Sequence, residues 1–129
     1  MTTTTTTSSS SSITDTFFVL LNSAQESKPC VTQALGNAVA TLDDDNEFCI
    51  YLGYRGLSSR EKAVHIHGKA SIGSDAGVLY SLSKGASKTD CVYLKDKEVN
   101  WLKRKLLYVN VHTTKCPDGE IRGKILPVG

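Results

Sequence analysis

Three histidines, His65, His67 and His112, are the residues of this chain best suited to chemistry, and they are its full complement. They fall in two short segments, Val64-His65-Ile66-His67-Gly68 and Tyr108-Val109-Asn110-Val111-His112-Thr113. Apolar alternation predicts a strand for each, with Val64 and Ile66 on one face and His65 and His67 on the other. Val109 and Val111 likewise share a face opposite Asn110 and His112. A His-x-His pair on one strand face, joined by a third imidazole, is a copper or zinc geometry. The same residues also suit a polar seam, with ring nitrogens bonded to backbone or to Asn110 and Thr113 and fixing strand register. Superoxide dismutase chemistry needs more imidazoles than these three.

Other chemistries find less support. No Gly-x-Ser-x-Gly elbow is present to activate a serine. The carboxylates of Asp43, Asp44 and Asp45 cluster in a turn and read as solvated. Asp75 lies in a Gly/Ser loop without a second acidic residue at calcium-ligand spacing. Glu120 and Arg122 alternate on the last strand, where they read as an exposed ion pair worth about 0–1 kcal/mol, or as an inter-subunit contact. The expectation is a non-enzymatic protein with no cofactor beyond a candidate copper or zinc ion.

The elements that must position these residues come from one domain. The chain has 129 residues, 40% of them hydrophobic, which supports a single core. Its 15 basic and 13 acidic residues leave a net charge of +2, without the concentrated basic surface of a nucleic-acid binder. The densest basic run, Lys103-Arg104-Lys105, reads as a solvated face. The longest apolar run, Phe17–Leu21, is far too short to span a bilayer or to form a signal-peptide core. The N-terminus as given therefore does not spell out secretion.

Residues 1–12 form a Thr/Ser-rich tail, expected to be disordered or O-glycosylated, and residues 13–129 form the domain. Strands are expected at Ile13–Leu21, Gly36–Leu42, Phe48–Tyr54, Val64–Gly68, Val78–Leu82, Cys91–Leu94, Tyr108–Thr113 and Glu120–Leu126. Phe48–Tyr54, apolar on both faces, reads as central. In the last strand Ile121, Gly123 and Ile125 face inward and Glu120, Arg122 and Lys124 outward. Asp96 is placed to cap one short helix near Lys97–Lys105, carried by Val99, Leu102 and Leu106. Short strands at this spacing argue for an all-β antiparallel sandwich.

Four cysteines, with no Cys-x-x-Cys, allow three pairings. Cys49 and Cys91 sit in strand-like runs and are expected to be buried. Cys30 and Cys116 each neighbour a proline in a turn. Pairing like with like gives Cys49–Cys91 and Cys30–Cys116, with buried free thiols as the alternative. Disulfides imply an oxidising compartment.

Several segments together resemble the chordin-type CHRD domain family: Gln25-Glu26 before Pro29, Gly36-Asn37-Ala38, Ala63–Gly68, Tyr108–Thr113, and Pro117-Asp118-Gly119-Glu120-Ile121-Arg122-Gly123. The likeness runs from about Phe17 to Pro127. One departure is Leu106-Leu107, where the family often has glycine before the Tyr-Val-Asn strand. The resemblance implies an immunoglobulin-like sandwich, somewhat similar to copper/zinc superoxide dismutase, in an extracellular or cell-surface protein with no established catalytic activity.

Three functions follow, in this order. The first is a structural subunit that self-assembles into a pilus-like filament. Its Thr/Ser tail and the assembly residues Ile13, Phe17, Phe18, Val19 and Leu21 would be donated as a strand to a neighbouring subunit. The second is a module binding a protein or glycan partner. The third is a histidine-based copper or zinc protein.

Overall fold

The computed structural model describes residues 12–71 and 73–128, so the Thr/Ser tail lies almost wholly outside the described residues. Among the described residues nine strands, one α-helix and a short 3-10 turn (Ser23–Gln25) follow one another. The strands are β1 (Ile13–Leu21), β2 (Leu35–Asp43), β3 (Glu47–Arg55), β4 (Glu61–Gly68), β5 (Val78–Ser81), β6 (Ser87–Tyr93), β7 (Leu107–Thr113), β8 (Ile121–Lys124) and β9 (Leu126–Pro127). The helix α1 (Asp96–Lys103) lies between β6 and β7. The strands form two sheets, ordered β6-β3-β2-β1-β9 and β5-β4-β7-β8, with neighbouring strands antiparallel. The molecule is thus an all-β immunoglobulin-like sandwich with one short helix.

Alternation builds the core. Phe17, Val19 and Leu21 of β1, Ala38, Ala40 and Leu42 of β2, and Phe48, Ile50 and Leu52 of β3 point inward from the larger sheet. They meet Val64 and Ile66 of β4, Val109 and Val111 of β7, and Ile121 of β8. Phe17 and Phe48 meet edge to face at 6.0 Å between centroids, a favourable arrangement of ring quadrupoles. Gly123 permits the sheets to close here. A Cβ on it would stand 2.2 Å from the Leu20 carbonyl oxygen, a separation no side chain can occupy.

The donor-strand expectation is corrected by β1. This strand pairs with β2 of its own chain, Phe17 against Ala40 and Val19 against Ala38, and with β9 through Phe17 and Phe18. Phe17, Val19 and Leu21 are fully buried in their own core, while Phe18 and Ile13 face solvent. Among the described residues β1 satisfies its backbone and apolar face within its own chain, and the Thr/Ser tail named with it lies outside them.

Three local expectations also change. β3 lies inside its sheet, but among the described residues its Cys49, Tyr51 and Gly53 face is half-buried to exposed. The helix cap is not Asp96, whose carboxylate instead accepts from Asn46 Nδ2 at 2.8 Å. Glu98 reaches back to accept from the Lys95 amide at 2.9 Å, satisfying an otherwise open first-turn donor. The sulfurs pair Cys30 with Cys116 and Cys49 with Cys91. Cys49 and Cys91 stand directly opposite on β3 and β6, but Cys91 is exposed and Cys49 half-buried. Their strand positions fall on the solvent side of the alternation that buries Phe48 and Ile50.

Candidate functional site

The outward face of the four-stranded sheet brings the histidines together. His65 and His67 project from β4, and His112 projects from the adjacent β7, where it pairs with Ala63. Ring centroids lie 5.4 Å apart for His65 and His67, 4.9 Å for His65 and His112, and 5.6 Å for His67 and His112. One ring nitrogen from each residue lies within 4.8 Å of the others. His67 Nδ1 is 2.8 Å from the Ala76 carbonyl oxygen, and His112 Nδ1 is 2.9 Å from that of Pro117. A carbonyl only accepts, so both rings carry their hydrogen on Nδ1 and present a bare Nε2. Those two Nε2 atoms face each other at 3.4 Å. His65 Nδ1 is buried without a hydrogen-bond partner. Burial holds all three imidazoles below their ordinary pKa; the carbonyl bonds oppose this at His67 and His112.

The two carbonyls are themselves held. The Tyr108 hydroxyl accepts from the Ala76 amide at 3.0 Å, and the Tyr108 ring stacks on His67 at 4.9 Å. Arg122 lies over the same ring, 4.1 Å from its centroid. Its guanidinium donates to the Ser74 carbonyl at 3.1 Å, to Asp75 at 2.6 Å and to Glu26 at 3.1 Å. Asn110 donates to Glu26 at 2.7 Å and to the Ile121 carbonyl at 2.9 Å. Pro117 follows Cys116, which is tied to Cys30 and receives the Gly119 amide at 3.0 Å. Gly119 has φ +128, and a Cβ there would lie 2.6 Å from both Asn110 Nδ2 and Glu26 Oε2.

Glu120 and Arg122 are buried, not exposed, and each has other partners. The Glu120 carboxylate accepts from Thr32 and Thr113 hydroxyls and from both the amide and hydroxyl of Ser58, at 2.7–2.8 Å. Burial pushes its pKa up, but these four bonds outweigh that and hold it low. At Glu26, burial wins over Arg122 and Asn110 and pushes the carboxyl up to about 7. Strand alternation places Arg122 on the outer face correctly. The segment 22–34, tied down by Cys30–Cys116, then covers that face and turns an outward position into a buried one. Asn110 and Thr113 accordingly serve Glu26 and Glu120, not the histidines.

The segments around Glu26, Asn110 and Gly119–Gly123 thus converge on one polar layer. A family model described as the CHRD domain matches residues 17–125. The chain belongs to the CHRD family. It is 32% identical over 117 residues to chordin of Danio rerio, which covers 86% of this chain but only 12% of that relative. No solved structure matches. Within the matched range Glu26, His67, Asn110 and Arg122 are buried in the polar layer, with His65 and His112 half-buried at its edge.

The opposite outer face of this CHRD domain is different. On the five-stranded sheet, Phe18 pairs with Val39, and Val39 with Tyr51. All three point to solvent, at 37%, 55% and 47% exposure, with Leu20 beside them at 60%. A shallow depression of about 530 Å³ adjoins the row, lined in part by Leu20, Leu35, Asn37 and Gly53. Gly53 leaves this floor open, with only the Ala86 carbonyl within 4 Å of a would-be Cβ. The Cys49–Cys91 bridge crosses the next row of the same face. Sequence reading named Phe18 as a donor-strand residue. The signal for the face itself was apolar residues at the solvent positions of three successive strands.

Proposed function

We propose that this chain is a non-enzymatic, extracellular protein-binding module that docks a partner through the outer face of its five-stranded sheet. The observation that carries the reading is the row Phe18, Val39 and Tyr51, contiguous across β1, β2 and β3. Single exposed apolar residues are ordinary, but a contiguous row on a rigid sheet favours a partner's apolar surface. Tyr51 and Phe18 supply large contact area with few rotors to freeze. The two disulfides support an oxidising, extracellular setting, and membership of the CHRD family supports an interaction role. Among the described residues no helix is long and apolar enough to cross a membrane.

The test places a photo-crosslinking residue at Val39, or at exposed Lys62 on β4 as the control, in protein incubated with its native extracellular fluid. Crosslinks to a discrete partner are expected at Val39 and not at Lys62. Excess unlabelled wild type should compete them away, and a Val39→Lys, Tyr51→Glu double variant should not. Equal labelling at both positions overturns the reading. Products made only of two copies of this chain replace partner binding with self-association.

A further inference from the structure

We propose that His65, His67 and His112 form a tetrahedral site for a zinc-type divalent ion, with its fourth position open to solvent. The inference concerns the four-stranded sheet and stands apart from the docking face on the other sheet.

The argument starts from the facing nitrogens. His67 and His112 each donate Nδ1–H to a carbonyl oxygen, so neither has a second hydrogen in its neutral form. Their bare Nε2 atoms therefore lie on the same side of the site, 3.4 Å apart. Two lone pairs at that distance need a positive centre between them, either a proton or a metal ion. A proton would make one ring an imidazolium on a face where burial already disfavours charge. A divalent ion answers the same need through bonds to neutral imidazoles, the form in which histidine binds metal and the form that burial favours here.

The distance selects among ions. Zinc–nitrogen bonds of about 2.0–2.1 Å at tetrahedral angles put neighbouring nitrogens about 3.3–3.4 Å apart. Cis positions of a square-planar or tetragonal copper(II) site would put them about 2.9 Å apart. The His67–His112 separation of 3.4 Å matches the tetrahedral edge, and the three ligand nitrogens lie within 4.8 Å of one another. His65 completes the set. Its Nδ1 is the one buried side-chain polar atom without a partner among the described residues, and a ring nitrogen of it lies within 4.8 Å of the other two.

The surroundings have the character of a metal site's supporting shell, in which carbonyls fix the tautomer and aim of each ligand. Ala76 is held by Tyr108, and residues 74 and 75 by Arg122. Pro117 is held next to the Cys30–Cys116 bridge. His67 and His112 also line an opening of about 290 Å³, shared with Lys28, Tyr108 and Asp118. Three protein nitrogens with a solvent-facing fourth position leave room for water or a carboxylate.

The experiment uses the tag-free, disulfide-intact chain, stripped of metal with a chelator and titrated with zinc chloride by calorimetry. One zinc per chain is expected. Nitrogen-15 spectra of the histidine rings should show His67 and His112 coordinated through Nε2 while both Nδ1 hydrogens remain. His67→Ala and His112→Ala should each weaken binding by about 100-fold or more. The ring spectra of the wild type decide the question even if a variant fails to fold. A proton shared between the two Nε2 atoms with no zinc uptake overturns the proposal. So does copper(II) binding in preference to zinc with a tetragonal spin-resonance spectrum.

Discussion

The two outer faces of the sandwich reverse the usual relation between polarity and burial. On the four-stranded sheet the outward residues are polar and ionisable, yet Glu26, Asn110, Glu120 and Arg122 are buried beneath segments 22–34 and 73–77. On the five-stranded sheet the outward residues Phe18, Val39 and Tyr51 are apolar, yet they meet water. A covered polar layer survives only when its groups are matched, because an unpaired buried charge costs several kcal/mol. That demand explains why Glu120 collects four donors and why Arg122 is shared among Glu26, Asp75 and a carbonyl. The exposed apolar face has no such demand within the chain. Its residues are exposed, so their contiguous arrangement is what the proposed docking role draws on.

The contrast is most exposed to test at Glu120. Glu120→Ala strands the donors of Thr32, Ser58 and Thr113 in the interior. It should cost about 3–5 kcal/mol, read as a drop in the urea midpoint. A loss under about 1 kcal/mol would mean that the covered layer is not structural in the way its bonds suggest.

Glu26 gives an intermediate effect with a definite sign. Its folded pKa, about 7, lies above the ordinary 4.5. The folded state therefore holds this proton more tightly than the unfolded state, and its contribution to stability is fully present below pH 4.5. It is lost as pH rises through about 7, to an extent on the order of 3 kcal/mol if Glu26 acts alone. Denaturation of wild type and Glu26→Gln across that range should show the wild-type decline flattened in the variant. A steeper decline in the variant would reverse the assignment of burial as the dominant cause.

The smallest stability effect belongs to the other face. Val39→Thr should change stability by less than about 0.5 kcal/mol, because the side chain leaves no cavity and strands no partner. The same variant should weaken capture of the docking partner. A loss of several kcal/mol in stability would show that the row is part of the fold, and the distinction between the two faces would collapse.

Alternation alone made much of this architecture readable. Val64, Ile66, Val109 and Val111 are apolar at every second position, which places the three histidines on the opposite side of their strands. The chemical likeness of their surroundings paired Cys49 with Cys91 and Cys30 with Cys116, the pairs found in the structure. The period of a strand says which face a side chain occupies, but not what lies above that face. For that reason Glu120 and Arg122 read as exposed, Cys91 as buried, and β1 as available to another subunit.

The sandwich, the α-helix near Lys97–Lys105 and the side of the sheet on which each histidine stands follow from local period and turn chemistry, which are written in consecutive residues. Long-range contacts are what pair β1 within its own chain, close segment 22–34 over Arg122, and bring Ala76 and Pro117 to the two imidazoles they hold. Those outcomes join residues tens of positions apart, through bonds whose partners no local pattern specifies.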